Sequence, residues 1–181
     1  LSVLTNGAIA WTPNEGQGPG TNDVTVRVFD DGSPGLSATQ TFHVIVREAN
    51  LAPELTLPPT QTIDELTSLA VNATATDADM PTNHLTFALV SGPDGLTVSS
   101  AGAIVWTPSE ADGGTTNTVS IRVFDDGQPS LSVTQSFQVI VREVNVAPEL
   151  TLPTTQTIDE LTSLAVNATA TDADMPTNHL A

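Results

Sequence analysis

Residues of this chain recur 95 positions apart: Trp11 as Trp106, Asp30 as Asp125, Arg47 as Arg142, Pro53 as Pro148 and Asp77 as Asp172. Residues 50–86 match 145–181 at 34 of 37 positions, and 1–49 match 96–144 at 30 of 49, with no insertion in between. A period this long is domain-sized, so the chain is constrained to a series of similar units, each resting on its neighbours. The register gives the C-terminal half of one unit (1–49), a complete unit (50–144) and the N-terminal part of a third (145–181). Together the two partial units omit only the equivalent of Phe87–Gly95. Either the chain is an excerpt of a longer array, or the tail of one copy completes the head of the next.

Within the complete unit, apolar residues alternate with polar ones. Leu69, Val71, Ala73 and Ala75 form one such series; Leu85, Phe87 and Leu89 another; Val119, Ile121 and Val123 a third; Phe137, Val139 and Val141 a fourth. Period two means an extended strand with one buried face. Shorter strands are predicted at 54–57, 61–64, 96–99 and 103–107, with Pro58 and Pro59 breaking an edge strand. Turn signals separate the runs at Met80-Pro81-Thr82-Asn83, Gly92-Pro93-Asp94-Gly95, Asp112-Gly113-Gly114 and Asp126-Gly127-Gln128-Pro129. No segment shows helical spacing. The expected fold is all-β: tandem seven-stranded β-sandwiches of immunoglobulin-like architecture on a 95-residue repeat.

Charge narrows the function. Four arginines and no lysine oppose 21 acidic residues, for a net charge of −17. That balance excludes a protein that tracks nucleic-acid phosphates and disfavours anionic membrane surfaces. The absence of cysteine removes both disulfides and thiolate metal sites. No run reaches the ~20 apolar residues of a membrane helix. The natural counter-ion is a cation.

The acidic residues concentrate at strand ends. Asp77 and Asp79 follow the run 69–75, and residues i and i+2 of an extended chain project the same way, so both carboxylates face one point. Clusters of carboxylate, amide and carbonyl oxygens suit Ca²⁺, which takes six to eight hard ligands. Only His43, His84 and His179 are available for zinc. An ordinary reading competes, because Asp at a strand end also bonds nearby backbone amides in a solvated turn. The loop is no EF-hand, since Pro81 and Thr82 occupy positions that need a ligand and a glycine. Further candidates are Glu65 after Ile63, Asp30 and Asp125 in Phe-Asp-Asp-Gly, and the junctions Glu48-Ala49-Asn50 and Glu143-Val144-Asn145. The repeat adds Glu160 as the equivalent of Glu65. Each has a plain alternative: a hairpin turn, an ordinary linker, a solvated glutamate.

The succession IDE (63–65), DADMPTNHLTF (77–87), AGAIVWTP (101–108), FDDGQPSLS (124–132) and FQVIVREVNVAPEL (137–150) resembles a cadherin-type repeat. It is most similar to the bacterial cadherin-like and dystroglycan-type domains of large surface proteins, and the resemblance runs over the whole chain. It implies calcium between consecutive domains, with Glu65 reaching the lower junction and Asp77 and Asp79 meeting the ion from the domain above. By the same resemblance Asn83 offers a carbonyl ligand and Asp125 completes that upper site. At the second junction Asp172, Asp174 and Asn178 would face Glu65 and the linker Glu143-Val144-Asn145. The linkers REANLAP (47–53) and REVNVAP (142–148) depart from the family's DxNDNxP, with Leu51 and Val146 in place of a carboxylate. The acidic pair after the GxI segment is approximated by Glu110 and Asp112, and in the first unit by Glu15 with Gln17. Fewer ions per junction are therefore implied than in animal cadherins.

Trp11 and Trp106 follow the alternation of Ile9 and Ile104 and read as packing residues. The GQGPGTN loop (16–22) lacks the lysine of a phosphate loop and reads as a hairpin connection. Asn72-Ala-Thr74 and Asn167-Ala-Thr169 fit a glycosylation sequon, Asn72 on an outward position. No GxSxG or HExxH motif supports an enzyme. The leading expectation is a non-catalytic adhesion or spacer module of a secreted or cell-surface array, stiffened by Ca²⁺ and partnered by neighbouring repeats. The alternatives are a filament subunit whose copies join head to tail through their terminal half-repeats, and a carbohydrate-binding module with cell-surface glycans as partners.

Overall fold

The computed structural model describes residues 1–174, and they divide into two compact units. Unit 1 comprises Leu1–Glu54, Ala75–Thr86 and Val123–Val133; unit 2 comprises Leu55–Thr74, Phe87–Arg122 and Thr134–Ala181. All regular structure among the described residues is strand, apart from two 3-10 turns.

Unit 1 begins with two short strands, β1 (Ser2–Val3) and β2 (Ile9–Ala10), followed by a 3-10 turn at Glu15–Gln17. The Gln17 side chain accepts from the Asn14 N–H at 3.0 Å and holds that turn. A long hairpin follows, β3 (Gly20–Phe29) on β4 (Ser37–Val46), paired antiparallel from Gly20 opposite Val46 to Phe29 opposite Ser37. The expected loop 16–22 is thus shorter than its glycines suggest: Gly20, Thr21 and Asn22 already lie in β3, where cross-strand pairing with Val44–Val46 fixes their backbone. Asp30 closes the hairpin, its Oδ1 accepting from Gly32 N–H at 3.1 Å and Leu36 N–H at 2.8 Å.

Nine strand segments occupy 50–144. In order they are β5 (Glu54–Thr56), β6 (Gln61–Asp64), β7 (Leu69–Asn72), β8 (Thr74–Thr76), β9 (Thr86–Ser91), β10 (Thr97–Val98), β11 (Ala103–Trp106), β12 (Thr116–Phe124) and β13 (Ser132–Arg142). A four-stranded sheet has the order β6-β13-β12-β9, and a three-stranded one the order β10-β11-β7. The expected single strand over 69–75 is divided at Ala73, whose N–H donates to Gly102 O at 2.9 Å and leaves the ladder. Gly102 sits at φ +90°, and a Cβ there would collide with Ala73 O, so the β10–β11 turn requires glycine at that point.

Core formation follows the alternation. Val119 and Ile121 of β12, Val139 and Val141 of β13, and Ile104 and Trp106 of β11 are buried, while their neighbours point out. Each fully buried aliphatic side chain contributes roughly 1.5–3 kcal/mol over leaving it in water. Trp106 also donates its Nε1–H to Asp94 O at 3.0 Å, which removes it from any exposed sugar platform. A second 3-10 turn spans Glu110–Asp112, capped by Asp112 Oδ2 accepting from Ser109 N–H at 2.7 Å. Beyond Arg142 come β14 (Glu149–Thr151) and β15 (Thr169–Thr171), paired antiparallel.

Candidate cation centres

Among the described residues two groups of three carboxylates form, one in each unit. In unit 1, Glu15, Glu48 and Asp79 bring oxygens within 4.8 Å of one another; in unit 2, Glu65, Glu110 and Glu143 do the same. The local structure explains why. Glu15 and Glu110 open the two 3-10 turns, Glu143 directly follows β13, and Glu48 lies two residues past the end of β4. Glu65 leaves the end of β6, its N–H donating to Arg142 O at 3.1 Å.

Unit 2 carries the more demanding electrostatics. Glu65 is only 4% exposed. Its Oε1 accepts from Val144 N–H at 2.9 Å, but its Oε2 is buried without a partner, as is Glu110 Oε1. Burial and the neighbouring Glu65 charge raise the carboxyl pKa of both Glu110 and Glu143 above its ordinary value, and the Asp174 charge adds to both. A Cβ on Gly113 would collide with Glu65 Oε2 and Glu143 Oε2, so the absence of a side chain there keeps the space between the two oxygens open. Hard oxygens crowded around a desolvated, unpartnered carboxylate match the preferences of Ca²⁺.

The Asp-x-Asp segments are organised differently. The Asp79 carboxylate accepts from Leu51 N–H at 3.1 and 3.2 Å and from Asn83 Nδ2 at 2.8 Å, while Asp77 Oδ1 turns back to Asp79 N–H at 2.9 Å. Three of the four carboxylate oxygens of Asp77 and Asp79 thus accept hydrogen bonds, and Asp77 Oδ2 is left buried without a partner. The arrangement recurs at Asp174, which accepts from Val146 N–H at 2.9 and 3.2 Å and whose own N–H donates to Asp172 Oδ1 at 3.0 Å. Leu51 and Val146, positions read as lost ligands, thus hold the aspartates through their amides.

Asn50 and Asn83 join the same network. Asn83 Nδ2 donates to Asn50 Oδ1 at 2.6 Å, and Asn50 Nδ2 donates to Asp125 Oδ2 at 3.1 Å and Pro129 O at 3.0 Å. Burial opposes ionisation of Asp125, but amide donors from Leu131, Asn50 and Gly127 outweigh it and lower its pKa. Asp30 has no such company: it is exposed and caps its own turn. Glu160 is exposed and outside both groups, and Asn178 lies outside the described residues. Asn145 adjoins Glu143 in the linker of unit 2. Glu15 and Glu110 are the cluster members that the sequence reading left outside its main candidates; their signal was position, each at the start of a 3-10 turn after Trp-Thr-Pro.

A family model described as "Putative Ig domain" matches residues 52–142. Among solved structures, the protocadherin gammaB7 EC3-6 cis-dimer is 19% identical, with a TM-score of 0.54, covering 89% of this chain and 44% of that one. The extracellular cadherin domains 1–5 of protocadherin gamma B2 are 17% identical (TM-score 0.56, 96% of this chain, 37% of that one). The PcdhgB3 EC1-4 structure is 19% identical (TM-score 0.56, 96% and 46%). The chain thus spans less than half of these cadherin structures, and at such identity the likeness is one of fold. No curated protein matches the chain.

Proposed function

The chain belongs to the immunoglobulin-domain family that matches residues 52–142, and we propose that it is a non-catalytic structural or adhesion module of an extracellular array, with joints stiffened by Ca²⁺. Its units would be 1–49, 50–144 and 145–181, each joint lying at a REANLAP or REVNVAP linker. The observation that carries this reading is Glu65 Oε2, buried and unpartnered among the carboxylates of Glu110 and Glu143. Glu65, Glu110 and Glu143 would hold the ion in unit 2 with Asp172 and Asp174 nearby, and Glu15, Glu48 and Asp79 would hold one in unit 1. The chemistry supplied is charge neutralisation, which stabilises the folded joint by mass action.

Extracellular modules bind calcium with dissociation constants of roughly 10⁻⁴–10⁻³ M, so a site of this kind would be filled outside the cell. Titration calorimetry of the full chain tests the site. Glu65→Gln keeps the acceptor for Val144 N–H but removes the buried charge, so calcium affinity at this site falls by at least about tenfold. Unchanged affinity in that variant would sink the assignment.

A further inference from the structure

Four asparagines fall within 50–144, and three of them are tied into the fold. Asn50 bonds to Asp125, Asn83 to Asp79 and Asn50, and Asn117 Nδ2 donates to Thr115 Oγ1 at 2.9 Å. Asn72 is the exception. It is exposed at the end of β7, and its side chain makes no hydrogen bond among the described residues. Asparagine is disfavoured in strands, because its amide competes for backbone partners and packs poorly on a pleated surface. Folding alone therefore gives no reason for an asparagine at this position.

The residues after it complete a recognition pattern. Asn72-Ala73-Thr74 is Asn-x-Thr with x other than proline, and of the ten asparagines in the chain only Asn72 and Asn167 stand in such a pattern, 95 residues apart. Ala73 is buried between the two strands, so β7 ends at Asn72 and β8 begins at the exposed Thr74. The Thr74 hydroxyl is also unbonded among the described residues. On the outward face of the β10-β11-β7 sheet, Asn72 lies opposite Ala103, and Val105 stands between Ala70 and Thr97. Those four neighbours are all exposed, small and uncharged, in a chain of charge −17; Val105 is 45% exposed.

We infer that Asn72 is the acceptor of an N-linked glycan whose first sugars lie over Ala103 and Val105. The donor class is an oligosaccharide carried on a polyprenyl diphosphate and delivered by a transferase of the secretory membrane. Asn72 Nδ2 bonds to the anomeric carbon, and the bond from that carbon to the diphosphate oxygen breaks, its electron pair leaving with the diphosphate. The amide gives up one proton to a base of the transferase. Because the Asn72 side chain has no partner to lose, the modification breaks no hydrogen bond of the fold. The sugar sets its C–H face on Ala103 and Val105 and its hydroxyls in water, which covers an apolar surface otherwise open to lateral association. The inference rests on the extracellular part of the proposed function and not on the cation.

The full chain carrying Asn167→Gln, which leaves one pattern, is secreted from an animal cell line and weighed before and after peptide N-glycosidase. The expected result is a mass above 18.8 kDa that returns to that value on treatment, with an aspartate left in place of Asn72. Thr74→Ala is expected to abolish the added mass and Thr74→Ser to retain it. A secreted chain whose Asn72 peptide carries no sugar would overturn the inference. The chain has no cysteine, so Val105→Cys reports the covered face. Maleimide labelling there is expected to be several-fold slower with the glycan than after its removal, while the exposed Gln138→Cys of β13, in the other sheet, labels equally in both. Equal rates at Val105→Cys would overturn the covering role. Asn72→Gln made in bacteria, without sugar, should unfold at the wild-type temperature; a midpoint several degrees lower would give Asn72 a role in the fold and contradict the argument. Secretion is imposed by the cell line and no readout involves calcium, so a bare Asn72 refutes the acceptor alone, apart from the Glu65→Gln titration.

Discussion

Two kinds of acidic residue gather beside the linkers 47–53 and 142–148, and their partners separate them. Asp79, Asp125 and Asp174 spend their lone pairs on backbone or asparagine amides, so they hold the linkers in place whether or not a cation is present. Glu65 and Glu110 each keep a buried oxygen with no donor, and that is a cost a cation removes. This division predicts the pH response. Glu110 and Glu143 have raised pKa values in the folded protein, so without calcium the folded state takes up their protons before the unfolded state does. In EDTA, stability from these groups should rise as pH falls from neutrality towards the ordinary glutamate value of about 4.5, and be lost as pH rises back through their folded pKa. Asp125, with its lowered pKa, contributes in the opposite sense: its stabilisation is present above about pH 3.8 and lost below it. Unfolding midpoints from pH 7 to 4.5 check the sign, and a midpoint in EDTA that falls steadily on acidification would contradict it.

At the scale of strands and turns, the alternation of Val119, Ile121 and Val123 with polar neighbours was sufficient to place β12 and its buried face, because one-sided burial leaves period two in the sequence. Replacing Ile121, fully buried, by alanine should cost roughly 2–5 kcal/mol in a urea titration without abolishing calcium binding. Local patterns were weaker guides where tertiary contacts decide. The break at Ala73 comes from its bond to Gly102, a partner 29 residues away, and the extension of β3 to Gly20 comes from pairing with Val46. The 3-10 turns at Glu15–Gln17 and Glu110–Asp112 are too short to leave a helical period, so Glu15 and Glu110 were legible only through the family resemblance, which set them at the acidic pair after the GxI segment. Glu65 was legible as an acid at a strand end, but its burial was not: that requires knowing that Val144 N–H and Gly113 close over it.

On the scale of the whole chain, a charge of −17 is self-repelling, and in the proposed function a divalent cation at the acidic groups relieves it. On the proposed reading, stiffness is a property of the medium, high where calcium is abundant and low where it is chelated. Thermal unfolding of the full chain in excess EDTA and in about 2 mM Ca²⁺ reads this directly, at a concentration above the dissociation constant expected for such modules. For a constant of ~0.1–1 mM, linkage gives ~0.6–1.8 kcal/mol per site, a rise of several degrees in midpoint that Mg²⁺ at the same concentration does not match. Identical midpoints in EDTA and calcium would contradict the ion-stiffened joint and leave packing and amide hydrogen bonds alone to hold it.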